Sequence, residues 1–290
     1  MTTPLFLANN PLLVAYQLAT QQRRWQLVMG VVMVVLLSLL AAWGAEVDLF
    51  KFYENIGNFT SYIGRIFYLD SGLAAIRDPF EWFWGLDKWL WLLLETLMMA
   101  YVGTVLGALG AVLLCFMASK NMTRSAYLVF VTRRFMEFSR TVPEIVFALI
   151  FVFAFGLGPV AGVLAIAIHT MGALGKLFAE VVENVDMKPV QGVIATGGNW
   201  LEKIRFAVIP QVLSNFASYS LLRFEINVRG AAVLGFVGAG GIGETLISAI
   251  RKFYYSDVSA LLILIILTVM IIDGLTEKLR HSLIGTEVYK

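Results

Sequence analysis

Apolar residues run along this chain in long blocks broken by short polar interruptions, a pattern too long in period for half-buried strands. Crossing a hydrocarbon layer ~30 Å thick takes about 20 apolar residues in a helix rising about 1.5 Å per residue. Blocks of that kind cover roughly 25–45, 89–117, 142–155, 160–182, 207–235 and 258–279. The third is short, and it crosses only if 130–139 enters the bilayer at a slant. The blocks predict an all-α membrane protein of about six transmembrane helices in one membrane domain. Its parts are an N-terminal segment over 1–24, a first span and the segment behind it over 25–88, a core over 89–280 and a tail over 281–290. The first block exceeds the about 7 to 15 apolar residues of a signal peptide, so it is expected to stay as an anchor.

The interruptions carry most of the information. Residues 183–210, ENVDMKPVQGVIATGGNWLEKIRFAVIP, are polar between two apolar blocks and predict an amphipathic helix at about 187–204. Such a helix lies outside the bilayer and faces water or another protein. A helix break is expected near Thr141, because Pro143 suits a helix first turn, where its missing N–H is not needed. Gly103, Gly107 and Gly110 predict close approach of a second helix. A short helix is expected over 11–22, and the aromatic and charged mixture at 49–69 suits a headgroup region or a small packed cap. Trp82, Trp84, Trp89 and Trp91 read as an aromatic belt.

Composition agrees with the membrane as solvent: of 290 residues, 59% are hydrophobic and 14% charged, against about 25% charged in soluble domains. The net charge of +2 is uninformative, but its distribution is not. Threading six spans puts Arg23, Arg24, Lys120, Arg124, Arg133, Arg134, Arg140, Lys176, Lys188, Lys203, Arg205, Lys278, Arg280 and Lys290 on one side. The positive-inside rule makes that side cytoplasmic, together with both termini. Acids including Asp70 outnumber cations over 46–88, on the opposite side. Cys115 is the only cysteine, and His169 and His281 are the only histidines. An intramolecular disulfide, cysteine clusters and multi-histidine metal sites are therefore excluded, and no catalytic or Walker pattern stands out.

Gly238, Gly240, Gly241 and Gly243 match G-x-G-x-x-G. A dinucleotide site needs a preceding strand and an acid about 20 residues on, whereas this run follows a span. It reads as an outer glycine-rich loop or a bent plug. The fifth block carries Arg223, Glu225, Asn227 and Arg229, each charge costing about 2.5 to 3.5 kcal/mol at mid-helix. Two readings stand: a Glu225–Arg229 pair one turn apart that holds the bundle, or an arginine offering positive potential to a crossing anion. Glu144 and His169 are further polar residues near membrane depth.

In order along the chain stand Gly156-Leu157-Gly158-Pro159, Ile168-His169-Thr170, Gly192 to Gly197 leading to Ile209-Pro210-Gln211, Arg223-Phe224-Glu225, and Asn227-Val228-Arg229 leading to the glycine run. With these stretches the chain, from about Trp91 onward, resembles the phosphonate-type permease subunits of type I ABC importers. The resemblance implies the type I ABC importer permease fold in a bacterial inner membrane. It implies two ABC ATPase subunits holding ATP and Mg, a second permease copy and a periplasmic substrate-binding protein, with no nucleic acid and no cofactor on this chain. The implied cargo is a phosphonate, phosphite or hypophosphite. ATPase contacts fall on Pro189, Gln191, Gly192, Ala195, Thr196, Gly197 and Pro210. Where the superfamily opens with Glu-Ala-Ala, this chain has Gln191-Gly192-Val193, so an ion pair from that position is lost. Importers of methionine or compatible solutes are the alternative, and a secondary transporter the more distant one.

Overall fold

The computed structural model describes residues 11–69 and 72–285; Asp70, Lys290 and the terminal stretches 1–10 and 286–290 lie outside them. Among the described residues the chain is helical, with one isolated bridge between Tyr68 and Ala74. It divides into two compact units, 1–62 and 63–290. The first unit holds α1 (Pro11–Gly44) and most of α2 (Leu49–Ile66). Residues 11–22 are not a separate helix but the first turns of α1, since no proline or glycine interrupts them before the apolar block. Asp48 starts α2 by accepting from the N–H groups of Phe50 and Lys51 at 2.9 and 3.1 Å.

The second unit runs α3 (Pro79–Trp82), α4 (Leu86–Ala118), α5 (Ala126–Thr141), α6 (Glu144–Phe155), α7 (Pro159–Glu183), α8 (Met187–Ala195), α9 (Trp200–Lys203), α10 (Ile209–Leu234), α11 (Ile242–Arg251) and α12 (Tyr255–Gly285). Four stretches are long and apolar enough to cross alone: Leu18–Gly44, Leu86–Ala118, Pro159–Glu183 and Tyr255–Leu283. Two bent helix pairs are long and apolar enough only when taken together, α5 with α6 at 87° and Trp200–Val237 with α11 at 49°. With each pair counted once, the total is six. α5 ends at Thr141 because Val142 precedes Pro143 and is extended, with ψ 123. The third apolar block is therefore not a straight span but part of a helix pair bent by 87°.

The centre of the unit is the α4–α7 contact. A Cβ on Gly107 would stand 2.7 Å from Thr170 Cβ and 2.8 Å from the Ala167 carbonyl oxygen, and one on Gly103 would stand 3.2 Å from the Val163 carbonyl oxygen. Backbone meets backbone there, as small-residue spacing on a helix face permits. The fully buried Asn227 of α10 donates from Nδ2 to Thr104 Oγ1 of α4 and Thr170 Oγ1 of α7, both at 2.8 Å. One amide thus ties three helices with hydrogen bonds no lipid can supply.

At one end of the unit Phe178 stacks on Phe216 with ring centroids 3.9 Å apart, beside buried Cys115 and Val208. At the other end the tryptophans depart from the belt expected of them. Trp82 and Trp89 are buried with Leu93, Ile242 and Val258, while Trp84 and Trp91 are exposed. The Trp82 indole N–H donates to Ser259 Oγ and that of Trp84 to Asp257 Oδ1, each at 2.9 Å. An indole with a polar partner packs inside as readily as it anchors at an interface.

Candidate functional site

The polar segment 183–210 folds as two short helices, α8 and α9, joined by a glycine turn, where a single helix over 187–204 was expected. Asp186 caps α8 by accepting from Lys188 N at 3.0 Å. α8 closes in a Schellman motif: Gly197 N–H donates to Ile194 O at 3.0 Å and Gly198 N–H to Val193 O at 2.9 Å. Gly197 takes φ +82 in that turn, a conformation that favours glycine. Asn199 and Glu202 then form a capping box that starts α9. The single-helix expectation fails because Thr196 to Asn199 carry strong stop and start signals back to back.

Pro189, Gln191, Gly192, Ala195, Thr196, Gly197 and Pro210 are all exposed, as are the apolar Ile194, Leu201 and Phe206. The segment is nevertheless anchored behind. Trp200 Nε1 donates to Met122 O at 3.1 Å, and Asn121 Nδ2 to Val182 O at 2.7 Å. Arg133 Nη2 meets Glu183 Oε1 at 2.6 Å, and the same oxygen accepts from Lys120 N at 2.7 Å. Gln211 closes the segment's base: its Oε1 accepts from Asp186 N at 2.9 Å and its Nε2 donates to Ala207 O at 2.7 Å. A widened π turn, Ile204–Val208, directly precedes Pro210, whose ring would crowd the Phe206 carbonyl of a regular helix. The result is a rigid, exposed knob at the end of the bundle where α4 finishes and α10 begins.

The glycine run is not an exposed loop. Gly240, Gly241 and Gly243 are buried, and Gly238 is half-buried. Gly238, Gly240 and Gly241 have φ of +82, +85 and +76, and Gly243 already belongs to α11. The Gly238 carbonyl accepts from Gly158 N at 2.9 Å, and Ile242 N donates to Thr96 Oγ1 at 3.0 Å. The turn is thus packed between α4 and the start of α7, and it sets the bend between α10 and α11.

Along α10 the charges separate into two groups, one around the exposed Arg229 and one around Arg223. Arg229 binds Glu225 and, at 3.2 Å, Asp273 of α12, while Glu225 also receives Thr276 Oγ1 at 3.4 Å and lies 3.8 Å from Arg280. The bundle-holding reading fits that group, which pins α10 to α12. Arg223 instead donates from Nη2 to His169 Nδ1. The ring therefore accepts at Nδ1 and donates at Nε2 to the Arg140 carbonyl, 3.2 Å away. Glu144 Oε2 lies 3.8 Å from His169 Nδ1. Glu144, His169 and Arg223 come from α6, α7 and α10 and meet at the α5–α6 break.

With those helices, the bent pairs and the exposed knob in place, the chain can be set beside known proteins. Residues 103–283 match the profile of the binding-protein-dependent transport system inner membrane component. The chain belongs to this family. Among curated relatives of this transport component, the phosphite transport system permease protein of Stutzerimonas stutzeri is 37% identical over 198 residues, covering 68% of this chain and 72% of that protein. A putative cryptic phosphonate transport system permease protein of Escherichia coli (strain K12) is 53% identical over 121 residues, 42% of this chain and 99% of the relative. The phosphate-import permease protein of Mycolicibacterium smegmatis is 38% identical over 193 residues, but the match spans only 36% of its length. An inward-facing methionine ABC transporter shares the fold, with TM-score 0.60 at 19% identity, over 71% of this chain and 98% of that one. The chain is thus a multi-pass membrane transport component with the fold of type I ABC importer permeases.

Three contributors at these sites escaped sequence reasoning. Gly230 seats Glu144, since a Cβ there would collide with the carboxylate. Gln211 and Trp200 fasten the knob through hydrogen bonds. The Gln211-after-Pro210 step was visible in the sequence; what it bonds was not.

Proposed function

We propose that this chain is the permease subunit of an ATP-driven importer that carries a phosphonate or a reduced phosphorus oxyanion, phosphite or hypophosphite. A binding protein delivers the cargo from outside. The knob formed by α8 and α9 docks the ATPase, which puts that end of the bundle, and both termini, on the cytoplasmic side. Lys120, Arg124, Lys188, Lys203 and Arg205 all belong to the loops and short helices of that end, in keeping with the positive-inside rule. ATP and Mg sit on two ATPase copies, and a second permease copy, identical or related, completes the pathway. Lacking a carboxylate at Gln191, the dock relies on the shape of the exposed Pro189, Gly192, Ala195 and Gly197 surface. ATP-driven closure of the motors moves the knob and switches access to the pathway.

The observation that carries the cargo class is that relatives 37% and 53% identical are named for phosphite and phosphonate transport. Phosphate itself is a second reading, favoured by the 38% identical relative named for phosphate import. Likeness to a methionine transporter at 19% identity speaks for fold alone. A bacterial strain able to oxidise phosphite and hypophosphite and to cleave phosphonates, stripped of its own phosphorus importers and supplied with this chain, its ATPase and its binding protein, is expected to grow on at least one of these anions as sole phosphorus source. Growth rescue by phosphate alone would select the second reading; rescue by none of phosphonate, phosphite, hypophosphite and phosphate would remove the cargo assignment.

A further inference from the structure

The bent α5–α6 pair breaks midway, and the break coincides with the Glu144, His169 and Arg223 cluster. At about 1.5 Å per residue the 25-residue α7 is about 37 Å long, and His169 stands about 15 Å from its start. Arg223 is likewise well inside α10, about 21 Å from Ile209 at the same rise. The cluster is thus deep between the two ends of the bundle. There α6, a 12-residue helix, begins at Glu144; the Val146 N–H is taken by the Pro143 carbonyl at 2.9 Å, which leaves the amides of Glu144 and Ile145 as the first N–H groups without a partner in the helix. Such an N-terminus favours negative charge, and Arg223 adds a full positive charge beside it.

Arg223 differs from Arg229 in what neutralises it. Arg229 has two carboxylates, Glu225 and Asp273, in direct contact. The guanidinium of Arg223 touches an imidazole, its Nε is buried without a hydrogen-bond partner among the described residues, and the Glu144 carboxylate, facing the same His169 Nδ1 at 3.8 Å, makes no direct ion pair with it. The Glu144 carboxylate itself is pressed onto α10 at Gly230, two turns past Arg223. The cluster is not sealed: the Glu144 and His169 side chains retain 25% and 19% exposure and so open on the flank of the subunit.

We propose that this cluster is a transit station for a tetrahedral phosphorus oxyanion, in which Glu144 supplies the negative charge while the pathway is empty. The station rests on the importer reading above and adds its site. An arriving oxyanion takes the Arg223 guanidinium and the α6 amide groups, and the carboxylate of Glu144 gives way by like-charge repulsion. Because the anion must displace a resident charge, it is held weakly and released readily, which is what a conduit needs. Selectivity among oxyanions is then left to the binding protein. Arg229, although half exposed, takes no part, being neutralised by Glu225 and Asp273.

The test uses the complete permease–ATPase complex in liposomes, with saturating binding protein and labelled phosphite and methylphosphonate. Arg223→Gln is expected to lower uptake about tenfold or more, as loss of a charge-assisted hydrogen bond does, with the yield of complex unchanged and Arg223→Lys partly restoring uptake. Glu144→Gln is expected to raise the affinity of the detergent-solubilised complex for phosphite about tenfold in equilibrium dialysis, since the competing charge is gone. Wild-type uptake by Arg223→Gln, or unchanged phosphite affinity in Glu144→Gln, overturns the station while leaving the importer reading intact. Should Arg223→Gln fail to assemble, the Glu144→Gln affinity decides alone. If the unaltered complex transports neither anion, the importer reading for these anions falls and the station falls with it.

Discussion

Gly197→Arg is expected to cut ATP-dependent uptake by at least about tenfold, the effect of losing roughly 1.4 kcal/mol or more of productive docking, while the subunit remains inserted. Two effects combine at this residue. With φ +82, Gly197 occupies a left-handed turn that a bulky residue enters at a cost of about 1 kcal/mol or more. The position is also open, with nothing within 4 Å of an added Cβ, so a long charged side chain projects into the surface offered to the ATPase. Gly197→Ala separates the two, because alanine carries the strain of the left-handed conformation but adds a single methyl. It should retain most uptake. Equal loss in both variants would place the effect in the turn; no loss in either would remove the knob as the dock. ATP hydrolysis measured beside uptake distinguishes a missing motor from an idling one.

The largest effect on folding is expected at Gly107. A valine or leucine there collides with the Ala167 carbonyl and with Thr170, which is itself held by Asn227. Backbone cannot move aside as a flexible side chain does. α4 and α7 must separate, and the Asn227 bonds to Thr104 and Thr170 are lost with them. Overpacking of this kind costs about 3 kcal/mol at the upper end of the usual range, enough to deplete folded subunit from the membrane. Gly274→Ala is the matching control. Gly274 lies within α12 with nothing within 4 Å of an added Cβ, so alanine should be neutral or stabilise by up to about 1 kcal/mol. Thermal melting of the solubilised subunit measures both, and a Gly107→Val melting temperature equal to wild type would contradict the α4–α7 contact.

Much of this architecture was legible because membrane helices must satisfy their own backbone and so announce themselves by length. The blocks at 89–117, 160–182 and 258–279 became α4, α7 and α12 with small changes at their ends. The break at Thr141 and the close approach at Gly103 and Gly107 were readable from Pro143 and the glycine spacing. What escaped was whatever depends on a partner far along the chain. Arg223 and His169 are 54 residues apart, and nothing local marks them as neighbours. The Gly238 to Gly243 run looked like a loop because glycine serves open turns and tight packing alike; only the facing Gly158 and Thr96 tell them apart. Trp82 and Trp89 failed as belt residues for a similar reason, since an indole suits an interface and a core equally.

The account stands or falls on whether this chain conducts its cargo under the control of a motor. The direct measurement is uptake of labelled phosphite and methylphosphonate by sealed liposomes holding the permease and its ATPase, with ATP and binding protein each supplied or withheld. Uptake that requires ATP on the knob side and binding protein on the opposite side is the predicted result. Uptake that persists without ATP, or proceeds at the same rate without binding protein, would contradict it.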